Sequence, residues 1–465
     1  MPLPIPEGRQ REVLYLPSTG HHAVLGTAGS GKTTLAILRS AYLADPETDH
    51  HGRTLLITFN RTLVSYLRYL QDRHLADVVV ENYHTFARGY LTHRGKLANN
   101  SICTPQDVDA FIRRSVVEVS KGYDAHPFFD ANNALFVDEI RWLDQHGIDT
   151  LDNYQAAERV GRTGFRVTRG DLRRIVFEIF TQYKAIRAAA GKDYDWDDLA
   201  TAVSREFAID ASPRLYKHVI IDEGQDLSPE ILRSLVAAVP DDGSVTFFGD
   251  VAQQIYGRRL SWRSAGLRIR RAWQFQENYR NTRQIARLAL AVSQMPYFAD
   301  EVDLVEPTAP TADGPLPALV ACPNEKAEIE FVLSQAIPAA RTRSVAILLR
   351  KRAYENLLAD KLPPGSIRLH RTMTSWVAGP GIKYGTYHAA KGLEFDAVYL
   401  PLCSRTRMPD PDEISDFGEE EAAMEDGRLL YVGVTRGKVQ LVISHSGEPS
   451  ALLPSDDSLY DRTTL

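Results

Sequence analysis

Residues 22–43, HAVLGTAGSGKTTLAILRSAYL, restrict the architecture of this chain more than any other stretch. A short apolar run ends at Gly26, a glycine-rich turn follows, and apolar residues then recur at helical spacing. Gly26 and Gly31, followed by Lys32 and Thr33, satisfy G-x-x-x-x-G-K-[ST]. The glycines let backbone N–H groups converge on phosphate oxygens, and the N-terminus of the following helix adds its dipole. Gly26, Thr27, Ala28, Gly29, Ser30, Gly31, Lys32, Thr33 and Thr34 are therefore expected to cradle a nucleoside triphosphate. Lys32 would reach the β and γ phosphates, and the Thr33 hydroxyl would ligate Mg²⁺. The local alternative, a glycine-rich turn between strand and helix, leaves the lysine and threonine unexplained.

A second segment supplies the matching carboxylates. In YKHVIIDEGQD an apolar, β-branched run ends in Asp222 and Glu223. A buried parallel strand with carboxylates at its C-terminal end is where a doubly wound sheet builds its site. Asp222 would hold the Mg²⁺ shell, and Glu223 would orient and deprotonate the attacking water.

Strand-like and helix-like segments alternate over residues 22–92 and again over 217–295, which implies a parallel sheet with crossover helices. Residues 100–205 are strand-poor. There Leu172, Ile175, Val176, Ile179, Phe180 and Tyr183 keep helical spacing, and Gly191 stands where a C-terminal cap belongs. After the Pro-rich acidic stretch DEVDLVEPTAPTADGPLP (300–317), read as a linker or surface loop, strands and helices alternate once more. The expected α/β organisation is two doubly wound parallel-sheet domains with a helical insertion in the first. Residues 1–95 and 206–275 form the first, 96–205 the insertion and 276–465 the second. The acidic run DPDEISDFGEEEAAMED (410–426) reads as a solvated loop.

Composition closes off other classes. At 465 residues the chain exceeds one ordinary core. No apolar run approaches the ~20 residues of a bilayer span, and the amino terminus lacks a secretory layout, so a cytoplasmic protein with no membrane association is expected. Cys103, Cys322 and Cys403 lie far apart with neither pairing nor metal-ligand spacing, as reduced buried thiols would. A net charge of −6 does not announce a nucleic-acid binder, so that function would need a local groove.

Further segments complete an ordered series: EGRQREVL (7–14), FFGDVAQQIYG (247–257), QENYRNT (276–282), YGTYHAAKGLEFDAVYLP (384–401) and RLLYVGVTRGK (428–438). With the two above, they resemble the motif series of the UvrD/Rep-type superfamily 1 DNA helicases, over nearly the whole chain. The resemblance implies two RecA-like domains, ATP and Mg²⁺ as cofactors, and 3′→5′ movement on single-stranded or tailed duplex DNA. It makes Gln10 the reader of adenine, suited by its bidentate amide, and Gln253 the γ-phosphate sensor. Arg280 and Arg436 become two arginines that approach the γ phosphate from the second domain, where fixed guanidiniums suit the charge spread over phosphoryl oxygens. Glu394 becomes a ribose contact. For the nucleic acid it points to Phe59, Asn60, His84, Thr85, Tyr256 and His388, groups able to stack bases or grip the backbone without reading sequence. Phe59 fits a core position equally well.

The chain also departs from that pattern. Where relatives carry a base-stacking tryptophan two residues after the motif tyrosine, Arg258 stands here, and Trp262 follows four residues later. RRLSWRSAGLRIRR (258–271) holds six arginines around Trp262, so Arg258 and Trp262 are read as a substitute strand contact; a solvated arginine face fits the same residues. The stretch between Arg280 and His388 is too short for the large insertion of longer relatives, which implies a compact motor. Two alternatives stay open: a translocase or RNA-directed motor that needs a partner such as a nuclease in defence or repair, and a nucleotide-gated nucleic-acid-binding module that does not translocate.

Overall fold

A computed structural model describes residues 9–26, 31–58, 78–124, 126–157, 167–249, 262–263, 265–269, 272–275, 281–298, 312–370, 377 and 379–465. The first sheet is entered through helix α1 (Arg9–Leu14), strand β1 (Gly20–Gly26), α2 (Lys32–Leu43), β2 (Thr54–Thr58), β3 (Val78–Asn82) and α3 (Tyr83–His93). It is completed by β4 (His218–Asp222), β5 (Ser244–Gly249) and β6 (Ala272–Phe275), in the order β3-β2-β4-β5-β1-β6 with every pair parallel. Helices cover both faces of such a sheet, so its inner strands carry no polar side. The runs TLLIT, HVIID and SVTFFG are accordingly buried at every position. Register pairs Thr58 with Asp222 and Leu25 with Gly249, so the start of the phosphate loop and the carboxylates share the C-terminal end of the parallel strands.

Between β3 and β4 the chain forms α4 (Pro105–Ser120), α5 (Asn133–His146), α6 (Leu151–Ala156), α7 (Asp171–Ala189) and α8 (Leu199–Ile209). Helix α4 opens on a capping box in which Thr104 and Asp107 satisfy each other's backbone N–H, with Pro105 at the first helical position. The apolar stripe of α7 packs with Ile112, Phe136, Ile140 and Leu143 into a core of its own, and Gly191 (φ 73°) ends that helix as expected. Helix α8 instead joins the core of the first sheet, through Leu199, Val203 and Phe207 beside Tyr83 and Leu232. Arg187 clips the return of the chain, ion-paired with buried Asp195 and Asp198 at 2.9 and 2.5 Å.

Helix α9 (Pro229–Ala237) lies between β4 and β5, and α10 (Arg283–Ser293) leads into the second sheet. That sheet is built from β7 (Ala318–Cys322), α11 (Glu325–Ala339), β8 (Ser344–Leu349), α12 (Asn356–Ala359), β9 (Ile367–Arg368), β10 (Gly381–Thr386) and α13 (Tyr387–Ala390). It ends with β11 (Phe395–Leu400), α14 (Pro411–Phe417), α15 (Glu419–Thr435), β12 (Gly437–Ser446) and β13 (Asp461–Thr464). Its order is β13-β7-β12-β11-β8-β10-β9, again parallel throughout. The two parallel-sheet α/β domains expected from the sequence are both present, and the three cysteines are buried and unpaired.

The acidic run is not a loop. Asp410 caps α14 by accepting the Asp412 N–H, and Glu419, Glu420 and Glu421 open α15, where negative charge complements the helix dipole. Its two end residues, Asp410 and Asp426, are fully buried and hold Lys351 and Arg350. Counting charges hid the helical spacing and the two buried carboxylates that partner half-buried cations.

Candidate active site

Helix α1 is locked in place by a buried arginine. Arg39 of α2 donates to the carbonyls of Leu14 and Pro17 at 2.6 and 2.7 Å. Gln10, on the same short helix, then reaches the phosphate loop: its amide nitrogen lies 3.3 Å from where a Cβ on Gly31 would stand. Gly31 has φ 81°, so a side chain there would meet both backbone strain and the glutamine. Helix α2 starts without a side-chain cap or an acidic residue in its first turn, which leaves its N-terminal N–H groups suited to an anion.

Lys32 is buried and donates to the Gly26 carbonyl at 2.7 Å. The Thr33 hydroxyl donates to Asp222 Oδ2 at 3.0 Å. Hydroxyl and carboxylate oxygens are the hard donors that Mg²⁺ takes. Burial, and then the neighbouring Glu223 charge, push the Asp222 carboxyl up to about 7. A site that penalises two adjacent anions in this way is one a divalent cation would relieve, so the residues fit the metal. Thr34 follows, half-buried, in the first turn of α2.

Glu223 adopts a left-handed backbone (φ 53°, ψ 38°), a conformation that costs a non-glycine residue ~1–3 kcal/mol. The turn is forced from below. A Cβ on Gly224 would stand 2.2 Å from the Phe247 ring, so the chain passes close over β5 and turns the glutamate sharply away from β4. Gln225 donates to Glu223 Oε2 at 2.6 Å. Burial alone would raise the Glu223 carboxyl, but Lys391, Lys32 and Arg436, in that order, outweigh it and hold the group below its ordinary range.

Two of those cations come from the second sheet. Lys391 follows α13, is 3% exposed, and pairs with Asp226 on the turn that carries Glu223. Arg436 is 1% exposed at the junction of α15 and β12. Its guanidinium donates to the Val432 carbonyl at 3.0 Å, the Leu393 carbonyl at 3.3 Å and Thr435 Oγ1 at 3.0 Å.

The remaining expected residues are placed as follows. Glu394 is half-buried and ion-paired with Lys438 at 3.1 Å. His388 lies 3.8 Å from Glu425. The ring of His84 meets Trp196 edge-on at 5.3 Å, and Thr85 is exposed with its N–H capped by Asn82. Trp262 packs edge-on against Phe247 at 5.0 Å, on the core of the first sheet, while Arg263 and Arg268 are exposed. Part of the Trp262 ring is thus committed to packing. Thr27, Ala28, Gly29, Ser30, Phe59, Asn60, Gln253, Tyr256, Arg258 and Arg280 lie outside the described residues. Asp226 and Lys391, both inside segments quoted above, were missed: nothing in either segment alone shows that they meet across the two sheets.

Two parallel-sheet α/β domains, one of them carrying this loop, make the chain a P-loop protein of the RecA-like kind. It belongs to the UvrD/REP helicase family: the family's N-terminal helicase domain matches residues 7–278, and the UvrD-like helicase C-terminal domain matches residues 366–448. A Mycoplasma pneumoniae protein named "Probable DNA helicase" is 23% identical over 458 residues, which cover 90% of this chain and 79% of that protein. A "Probable DNA helicase II homolog" of Rickettsia felis is 29% identical over 136 residues, 29% of this chain. That match spans only 21% of the Rickettsia protein's length. The "ATP-dependent DNA helicase UvrD1" of Mycobacterium bovis is 28% identical over 282 residues, 56% of this chain and 34% of the relative. Among the described residues no helix is long and apolar enough to cross a membrane.

Proposed function

We propose that this chain is an ATP-dependent DNA motor that hydrolyses ATP in the cleft between its two sheets and steps 3′→5′ along single-stranded DNA. The observation that carries the reading is the convergence on Glu223. Lys32 of the phosphate loop and Lys391 and Arg436 of the second sheet all act on that one carboxylate. Hydrolysis chemistry set between two sheets lets nucleotide state control how the sheets sit on each other.

In this reading Lys32 and the N-terminus of α2 hold the phosphates, and Gln10 reads the base. Thr33 and Asp222 hold Mg²⁺, which supplies charge neutralisation at the phosphates. Glu223, held deprotonated by its surrounding cations, accepts the proton of the attacking water. Arg436, with Arg280, stabilises the negative charge that spreads over the transferred group, and Gln253 reports the γ phosphate to the nucleic-acid face. Glu394 contacts the ribose. Phe59, Asn60, His84, Thr85, Tyr256, Arg258, Trp262 and His388 line the path of the strand, gripping backbone and stacking bases without sequence choice. A cytoplasmic protein is the setting this implies, with a nuclease or similar protein as a partner where duplex must be opened.

The test is ATP turnover with single-stranded DNA, with RNA and without nucleic acid, followed by strand displacement on duplexes with 3′ or 5′ tails. The reading expects DNA-stimulated turnover and displacement from 3′ tails. Stimulation by RNA alone would make the substrate RNA, and turnover indifferent to either would remove the motor.

A further inference from the structure

Arg436 stands at a single-residue junction: α15 ends at Thr435 and β12 begins at Gly437. The last carbonyls of a helix lack intrahelical donors, and here they are buried. The side chain of Asn281, 2% exposed, supplies what is missing. Its amide nitrogen donates to the Thr435 carbonyl at 3.2 Å and also to the Gly437 carbonyl, the residues on either side of Arg436. The next residue continues the seam, with the Thr282 N–H donating to the Lys438 carbonyl at 3.0 Å. The Arg436 carbonyl itself accepts the Phe395 N–H at 3.0 Å. Of these contacts, Asn281 alone grips both flanks of the arginine through one planar group. The two N–H groups of an amide suit this pair of carbonyls, whereas a carboxylate would offer acceptors to two acceptors and alanine would reach neither.

We infer that Asn281 is a positioning residue for Arg436, an amide clamp that fixes the helix-to-strand junction from which the guanidinium enters the nucleotide cleft. The inference rests on the reading of Arg436 given above and adds a residue that no motif role assigns. In sequence Asn281 directly follows Arg280, so the clamp is also one peptide from the other arginine. Reacting groups displaced by about 1 Å lose on the order of 10²-fold in rate, and that is the scale expected here.

The experiment uses the full chain with single-stranded DNA and measures kcat for ATP, the Kd of a fluorescent ATP analogue and the thermal unfolding midpoint. Asn281→Ala and Asn281→Asp should lower kcat by about 10²-fold while nucleotide affinity stays near the parent's. Asn281→Ser, which keeps one donor, should fall between. The decisive comparison is a double-mutant cycle with Arg436→Ala. If the clamp acts through the arginine, Asn281→Ala adds little to the loss already caused by Arg436→Ala. Fully multiplicative losses, or an unchanged kcat in Asn281→Ala, overturn the inference while leaving the role of Arg436 intact. An Arg436→Ala variant with normal turnover overturns both. Should Asn281→Ala fail to fold, Asn281→Ser takes its place in the cycle, and the same two outcomes decide.

Discussion

Lys391 and Asp226 form an ion pair between the two sheets, beside the carboxylate that the reading makes the general base. Both are nearly fully buried, at 3% and 7% exposure. Removing one partner of a buried pair costs ~3–5 kcal/mol when the other charge stays trapped. In the motor reading proposed above the cleft opens during the cycle, which would return the trapped charge to water. The cost should therefore appear as a shift away from the closed arrangement rather than as global unfolding. A coupling of ~1–3 kcal/mol corresponds to a roughly 5–150-fold loss of the closed population, and hence of kcat. Lys391→Met and Asp226→Asn should each show a loss in this range in steady-state ATP turnover with single-stranded DNA. The double variant leaves no unpaired charge, so it should lose far less than the product of the two single losses. A cycle in which the losses multiply, with coupling under ~0.5 kcal/mol, would refute the latch. So would single variants indistinguishable from the parent.

Other expectations follow from individual groups. Lys32→Ala and Glu223→Gln should both abolish turnover, but only the second should retain bound ATP; turnover in Glu223→Gln above about a tenth of the parent's contradicts a general base worth ~10²-fold or more. Burial and then Asp195 push the Asp198 carboxyl up to about 7 from an ordinary value of 3.8. A raised carboxyl gives stability that is complete below its unfolded value and lost as pH rises through the folded one. Stability should therefore fall as pH rises from ~4 to ~7, by up to ~1.4 kcal/mol per pH unit, and Asp198→Asn should flatten that slope. A slope unchanged by the substitution contradicts the assignment. Arg263→Ala should flatten the salt dependence of single-strand binding by ~0.7 log units per decade. Trp262→Ala should also lower the unfolding midpoint, since its ring packs on Phe247; a loss of DNA affinity with no loss of stability would return the tryptophan to stacking alone.

What was legible in the sequence is what is local. Gly26 to Thr33 announce a strand, a phosphate turn and a helix within one short segment, and HVIID announces a buried strand by being apolar throughout. Pairs that meet only when sheets assemble were not legible. Lys391 and Asp226 are far apart in the chain, and Asn281 looks like any loop asparagine until the Thr435 and Gly437 carbonyls are set against it. Strand β13 has no apolar alternation to betray it, because Asp461–Thr464 lie exposed at the sheet edge and are held by backbone pairing with β7. The packing of Trp262 was not legible either: within its arginine-rich run, the Leu267 N–H bonds back to the Trp262 carbonyl at 2.8 Å in a turn that sets the ring edge-on against Phe247.

The central claim, that hydrolysis between the sheets drives movement along a strand, is tested most directly by pre-steady-state translocation. Single-stranded DNAs of increasing length carry a fluorophore at the 5′ end or at the 3′ end, and protein is mixed with ATP and a trap for dissociated molecules. The account predicts a lag before the 5′-end signal that grows in proportion to length, no such lag at the 3′ end, and loss of the signal in Glu223→Gln. ATP turnover with no length-dependent lag at either end would contradict it and make the chain a nucleotide-gated binder.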